Sequence, residues 1–238
     1  YDRLGRMEEK RLPDGEGRVR YTYDRWRGSE NARGRLARVD GPEEQTVISY
    51  DRAGRVKEED RRLKGLLALQ GRRAVTGFGY DLLGRKTEIR YPAATPLGEG
   101  AVVTYRYGAM GVTSVEAEEG GAVRPIIRSV AYDESGRMAE VRRGNGTVSE
   151  YEYDARGRLS HLVTTAEHNG RTWKVQDVDY DFRADDSIAA IENRSDACAD
   201  GACESLVRYE YRYDGLNRLV RAEGRYEKNL LIESGLNQ

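Results

Sequence analysis

The sequence predicts an all-β protein: tandem antiparallel β-hairpins laid side by side into a curved or spiral sheet strip. Three observations predict it. A Tyr-Asp-x-x-Gly-Arg-Leu heptad recurs along the chain, apolar and polar residues alternate on either side of it, and helical periodicity is almost absent. The 238 residues are read as one array of about nine units, a segment of a longer chain, since it opens at Tyr1 with no basic-then-apolar leader.

The clearest heptads are Tyr1-Asp2…Gly5-Arg6-Met7, Tyr50-Asp51…Gly54-Arg55-Val56, Tyr80-Asp81…Gly84-Arg85, Tyr132-Asp133…Gly136-Arg137-Met138 and Tyr153-Asp154…Gly157-Arg158-Leu159. Tyr213-Asp214…Asn217-Arg218-Leu219 has Asn where the others have Gly. One unit is stretched, with Tyr23-Asp24 followed only later by Gly34-Arg35-Leu36. Two are eroded: Tyr107-Gly108…Gly111, and Tyr180-Asp181 ahead of Ile188.

Each heptad has the chemistry of a hairpin tip. An Asp side chain can accept a bond from the backbone two residues on, and the fourth residue of the turn must take positive φ. Gly does this without steric cost and Asn is the next best choice, which accounts for Asn217. A three-residue loop of this kind gives a bulged hairpin. In that register Asp faces Arg, and Tyr faces the Leu, Met or Val of the returning strand. The Tyr–aliphatic pair is worth roughly 0.2–1 kcal/mol.

Strands flank each tip. Val19-x-Tyr21-x-Tyr23, Val103-x-Tyr105-x-Tyr107 and Val207-x-Tyr209-x-Tyr211-x-Tyr213 alternate with period two. After the tip, Leu36-x-x-Val39, Met138-x-x-Val141 and Leu159-x-x-Leu162 are spaced by three, which predicts a bulge. Gly120-Gly121, Gly144-Asn145-Gly146 and Asn169-Gly170 read as the turns at the opposite ends of the strands. Arg61 to Gln70, rich in Leu, reads as a short helix or a longer loop.

Composition narrows the function classes. Charged residues make up 34% of the chain, yet the net charge is only -1, which argues against a nucleic-acid partner. No apolar run approaches the ~20 residues of a membrane helix, so membrane insertion is not expected. There are 16 Tyr against 2 Phe and 2 Trp, which suits a thin, half-wet β layer. With 2 His and 2 Cys, sites built from several such ligands are nearly excluded, and no cofactor is expected.

Heptads of this form, at this spacing and over essentially the whole chain, resemble the YD repeats of the Rhs family. That family includes bacterial Rhs polymorphic toxins, the B and C components of Tc toxins, and teneurins. The resemblance implies a sheet strip wound into a hollow shell that encloses or supports a polypeptide cargo. It also implies bacterial export, with a secreted or cell-surface location. Partners would be the cargo or other segments of the same parent. The Asp-Pro-x-Gly-Leu segment where family members cleave themselves is absent here, so that activity does not carry over.

Individual residues leave alternatives open. The recurrent Asp and Arg read as turn geometry plus an exposed ion pair worth ~0–1 kcal/mol. Cys198 and Cys203 flank Asp200-Gly201 and suit a loop disulfide in an exported protein; calcium held by Asp196, Asp200 and Glu204 is the weaker reading. Asp185-Asp186 reads as solvated, and His161 and His168 as surface residues. Trp26, in the stretched tip, and Trp173 read equally as recognition residues or as part of the wall. The stretch from Trp26 to Arg33 is the best candidate for an added recognition surface. With no grouping of nucleophile, base and stabiliser, the chain is expected to be a scaffold and not an enzyme. The alternative is an extracellular adhesion or carbohydrate-binding module.

Overall fold

A computed structural model describes residues 1–15, 17–64, 72–93, 100–196 and 203–230. It is all-β: seventeen strands belong to one antiparallel sheet, and a single 3-10 turn, Pro13–Gly15, is the only helical element among the described residues. No helix among them is long and apolar enough to cross a membrane. The chain divides into two compact units, Tyr1–Arg106 with Val115–Arg124, and Tyr107–Ser114 with Pro125–Gln238.

In the first unit the strands are β1 (Glu9–Arg11), β2 (Arg18–Tyr23), β3 (Leu36–Asp40), β4 (Glu44–Tyr50), β5 (Val56–Leu63), β6 (Arg73–Tyr80), β7 (Lys86–Arg90) and β8 (Val102–Tyr107, whose last residue belongs to the second unit). Each pairs antiparallel with the next in sequence. The unit boundary runs across β9 (Val112–Glu119) and β10 (Ala122–Tyr132). The second unit continues with β11 (Met138–Arg143), β12 (Val148–Tyr153), β13 (Leu159–His168), β14 (Arg171–Phe182), β15 (Ile188–Asp196), β16 (Cys203–Tyr213) and β17 (Leu219–Leu230). These too pair consecutively.

The spacing of three after each tip has a single cause. In β4–β5, Tyr50 pairs with Val56 but Ser49 pairs with Glu58, so Lys57 is an extra residue in the ladder. The same slip occurs at Tyr23, Tyr80, Tyr132, Tyr153, Phe182 and Tyr213. A bulge beside each tip bends and twists the strand locally and restores the alternation beyond it.

Two expectations are corrected here. Arg61–Leu63 are not helical: they end β5, with Arg61 opposite Ala74 and Arg62 opposite Arg73. Alternation up to the β6 partner outweighs the local Leu spacing, and the rest of that stretch, residues 65–71, lies outside the described residues. The eighth unit is led by Phe182 and not by Tyr180. Phe182 is the residue paired with Ile188 across the bulge, and the Arg183 N–H donates to the Ser187 carbonyl at 2.8 Å.

The core is thin. Among the described residues, the buried apolar ones are small or β-branched apart from Tyr50, and the largest side chain that is fully buried is Ser149. In the first unit Ala32, Ala37 and Tyr50 cluster with Ile48 and Val56. In the second, Val141, Val178 and Ala190 are buried singly along the strands. At ~1.5–3 kcal/mol per fully buried large side chain, such a core supplies little. Stability must come mainly from strand pairing and from contacts repeated at the tips.

Candidate functional site

Each tip is organised by its Asp. In the units led by Tyr1, Tyr50, Tyr80, Tyr132, Tyr153 and Tyr213, Asp Oδ1 accepts the backbone N–H two residues on and again four residues on. Its Oδ2 accepts the Nε–H of the tip Arg at 2.7 Å in all six. Gly5, Gly54, Gly84, Gly136 and Gly157 have φ between 74° and 83°, and Asn217 has φ of 57°. With both oxygens in use, the carboxylates stay charged. The Arg55, Arg137 and Arg218 backbone N–H groups hold Asp51, Asp133 and Asp214 below the usual carboxylate range.

Sequence reading assigned the tip Arg to its own Asp and missed its second role. The guanidinium also lies over the aromatic ring that leads the next unit. In the first unit Arg6 covers Tyr23 at 4.3 Å, Arg35 covers Tyr50 at 5.5 Å and Arg55 covers Tyr80 at 4.7 Å. In the second, Arg137 covers Tyr153 at 4.4 Å and Arg158 covers Phe182 at 4.3 Å. Each such stack contributes roughly 0.5–1 kcal/mol at an exposed site.

The Tyr hydroxyl adds a second link. Tyr23 donates to the Met7 carbonyl, Tyr50 to Leu36, Tyr80 to Val56, Tyr132 to Val112, Tyr153 to Met138 and Tyr213 to Ile188, all at 2.8–3.0 Å. In five of the six the acceptor is the first residue of the strand leaving the previous tip; Met7 lies two residues ahead of β1. One signal could have revealed this link: the leading position is Tyr in nearly every unit, whereas a purely apolar role would have admitted Phe as readily. Gly also serves the link. A Cβ on Gly54 would strike the Arg35 guanidinium, and one on Gly157 would sit 3.0 Å from Arg137 Nη1.

The other candidates fall as follows. His161 is not a bare surface residue. On β13 it is half-buried, with Nε2 2.7 Å from Oδ1 of Asp177 on β14, and Lys174 Nζ is 2.7 Å from the other oxygen. Asp177 is buried, and its N–H donates to Asn193 Oδ1 at 3.0 Å. Burial pushes the Asp177 carboxyl up, but His161 and Lys174 more than reverse this, so it lies below its ordinary value. The Asp177 hydrogen bond holds the His161 imidazole above its ordinary value. The charges neutralise one another within the cluster, which is the expected form of a satisfied buried carboxylate.

Asp185 and Asp186 are not interchangeable solvated acids. Asp186 takes the left-handed position, with φ of 67°, and accepts from Arg156 at 2.6 Å and Arg158 at 2.5 Å. Asp185 Oδ1 accepts from the Ser187 N–H and hydroxyl. Trp173 is half-buried on β14, with Arg171 5.6 Å from its ring and its buried Nε1–H unpaired. Trp26 is 37% exposed, with the Arg38 guanidinium 4.0 Å from its ring. Cys198, Asp200 and His168's side chain, with the side chains of Asp196, Cys203 and Glu204, lie outside the described residues, and with them the disulfide and calcium readings.

The tips thus define a tandem hairpin scaffold in which Tyr23, Tyr50, Tyr80, Tyr153 and Tyr213 each dock on the preceding unit by both a cation and a hydroxyl bond. Comparison with known proteins is consistent with this. Residues 132–173 match the RHS Repeat family model. The toxin subunits YenC2 and YenC1 of Yersinia entomophaga are each 29% identical, over 45% and 49% of this chain. The chain spans only 11% and 12% of their lengths. Its fold is similar to that of the TcdB2-TccC3-Cdc42 structure, with a TM-score of 0.65 at 19% identity over 90% of this chain and 11% of the other. The Tc holotoxin pore of Photorhabdus luminescens gives 0.63 at 14% identity, over 92% and 13%. The chain thus carries an RHS repeat, is similar in sequence to Tc-toxin subunits over about half its length, and shares the fold of Tc-toxin complexes.

Proposed function

We propose that the chain is a stretch of wall in an RHS-type shell that encloses or braces a polypeptide cargo, within an exported toxin-like particle. One observation carries this reading. Each tip supplies its own turn and also the socket for the next ring, so a wall can lengthen hairpin by hairpin without a thick core. The relatives support it, being toxin subunits and Tc complexes. The wall works by enclosure: it keeps solvent and proteases from a chain that need not be folded. A non-catalytic role is supported by the tip carboxylates, which are committed to backbone N–H groups and Arg and are not poised as bases.

The test uses the longest polypeptide encoded with this segment, fused at its C-terminal end to a reporter cargo. The cargo should resist protease until the wall is unfolded. Digestion at the rate of the free reporter would refute enclosure. A second reading, a surface adhesion module, is favoured by the exposed Trp26 in a loop fastened to the sheet.

A further inference from the structure

The first unit sets its tips in one row. β2, β4 and β6 run parallel to one another, so the tips that follow them leave the sheet at the same end. The tip led by Tyr1 joins this row, with Arg6 Nη2 2.7 Å from Asp24 Oδ2. Arg35 covers Tyr50 at 5.5 Å, and the Arg55 guanidinium donates to the Asp81 carbonyl at 2.9 Å. The tips after β2, β4 and β6 thus stand about 10 Å apart, twice the spacing of neighbouring strands. Between Asp and Gly the turn asks for nothing apolar: the second unit has Glu134-Ser135, Ala155-Arg156 and Gly215-Leu216 in those places. The first unit has Leu82-Leu83, 104% and 78% exposed, and Leu4, 76% exposed. Trp26 is exposed on the stretched tip between them. One exposed Leu is ordinary on a protein surface; large apolar side chains on three of four neighbouring turns form a patch.

The same row is basic. Residues 2–6, 24–35, 51–55 and 81–85 hold nine Arg against five carboxylates. The tips of the second unit at 133–137, 154–158, 183–187 and 214–218 hold five Arg against six carboxylates, so the excess is confined to the first unit. All five carboxylates of the row are already paired. Asp2, Asp51 and Asp81 hold the Arg of their own tips, Asp24 holds Arg6, and Glu30 holds Lys57. Arg3, Arg25, Arg27, Arg33 and Arg52 are exposed, and among the described residues they make no ion pair or side-chain hydrogen bond.

We propose that this row of tips is a docking edge for a bilayer surface that contains anionic lipid. The Leu side chains enter the boundary between headgroups and acyl chains, where an indole is also favoured. The uncommitted guanidiniums hold lipid phosphates and carboxylates around them. The association is peripheral: no helix among the described residues is long and apolar enough to cross a membrane, and turn tips reach only the outermost layer. A folded acidic protein would need a separate socket for each protruding turn, whereas a fluid surface closes around all of them. A nucleic acid would use the guanidiniums and leave Leu82 and Leu83 in water. The proposal goes beyond the wall reading and is independent of enclosure.

The test is flotation of the intact chain with lipid vesicles at physiological salt. Vesicles of phosphatidylcholine and phosphatidylserine, in a two-to-one ratio, are compared with vesicles of phosphatidylcholine alone. The chain should float with the first and not with the second. Leu82→Gln with Leu83→Gln, and separately Arg25→Gln with Arg27→Gln and Arg33→Gln, should each weaken binding by about tenfold or more. Arg212→Gln with Leu216→Gln and Arg225→Gln, all exposed in the second unit, should leave it unchanged. In a Trp173→Phe background, Trp26 emission should move to shorter wavelength on the anionic vesicles and be quenched by lipids brominated along the acyl chain. Circular dichroism and thermal unfolding confirm that each variant folds. No flotation, full binding by the Leu82/Leu83 variant, equal loss in the second-unit variant, or Trp26 emission unchanged on the vesicles overturns the proposal. Polyglutamate or single-stranded DNA bound as tightly as the anionic vesicles, with no dependence on Leu82 and Leu83, would identify a general polyanion site and overturn it too. None of these outcomes bears on enclosure, which the protease experiment reads.

Discussion

Two tips of the second unit, Tyr132–Met138 and Phe182–Ile188, form the same turn from different residues. In the first, Asp133 accepts from the N–H groups of Ser135 and Arg137 and from the Arg137 guanidinium, and Gly136 takes φ of 77°. In the second, Arg183 stands in the place of Asp, Asp186 in that of Gly and Ser187 in that of Arg. The acceptor has moved to Asp185, which bonds Ser187, and the left-handed position is taken by Asp186, steadied by Arg156 and Arg158 from the preceding tip. Arg183, in the Asp position, still covers the next ring, Tyr213, at 5.4 Å.

The comparison separates what a tip must have from what it usually has. A left-handed fourth residue, an oxygen to cap the loop, and a cation over the next ring are present in both. The letters that supply them can be exchanged. Only the hydroxyl link is missing: Phe182 has nothing to donate to the preceding strand.

The largest test of this separation is Gly157→Val. A β-branched residue at φ of 80° is strained, and its Cβ would meet Arg137 Nη1 at 3.0 Å, so we expect a loss of about 2–3 kcal/mol in denaturant unfolding. Gly136→Val has the same backbone demand but open space around its Cβ, so it should lose less. Equal losses would show that the guanidinium yields freely.

Asp133→Ala should cost about 1–3 kcal/mol, since it strands two N–H groups and an Arg partner. Asp185→Ala removes the two bonds to Ser187 and a looser ion pair with Arg183 at 3.7 Å, and should cost about 0.5–1.5 kcal/mol. A reversed order would break the claim that the acceptor is only partly replaced at the eroded tip.

The hydroxyl link gives a reciprocal pair. Tyr153→Phe removes the bond to the Met138 carbonyl and should lower stability by about 0.5–1.5 kcal/mol. Phe182→Tyr should raise it, by less, if the new hydroxyl reaches the Leu159 carbonyl. Thermal unfolding of both variants against the parent reads the signs directly.

The smallest effects are in pH. Asp133 and Asp185 both fold with their carboxyls held low: the Arg137 backbone N–H is the main cause at Asp133, and the Ser187 hydroxyl at Asp185. A lowered carboxyl stabilises fully above its ordinary value of about 3.9 and loses that contribution as pH falls through the folded value. His161 runs the other way. Its raised pKa stabilises fully below about 6.5, and the contribution fades as pH rises through the folded value. Carbon-detected NMR titration should find Asp133 and Asp185 below, and His161 above, their unfolded values; an unshifted His161 would show that its bond to Asp177 is not kept in solution.

Much of this was legible in the sequence because turns are local. Asp133 and Gly136 fix the tip of their own hairpin, and Met138-x-x-Val141 announces the bulge, with no knowledge of any other strand. The eighth unit was misplaced because Tyr180-Asp181 matches the heptad in letters, whereas Phe182 matches it in position. Only the pairing of Phe182 with Ile188 distinguishes the two. The stretch from Arg61 was ambiguous because Leu spacing there competes with a strand partner distant in sequence.

The sequence alone determined the hairpins, their bulges and their order, since each depends on residues a few positions apart whose backbone preferences are intrinsic. Only the tertiary structure decided that Arg137 covers Tyr153, that the Tyr153 hydroxyl reaches Met138, and that His161 meets Asp177. Those partners are brought together by strand register, and register is a property of paired chains that no single heptad contains.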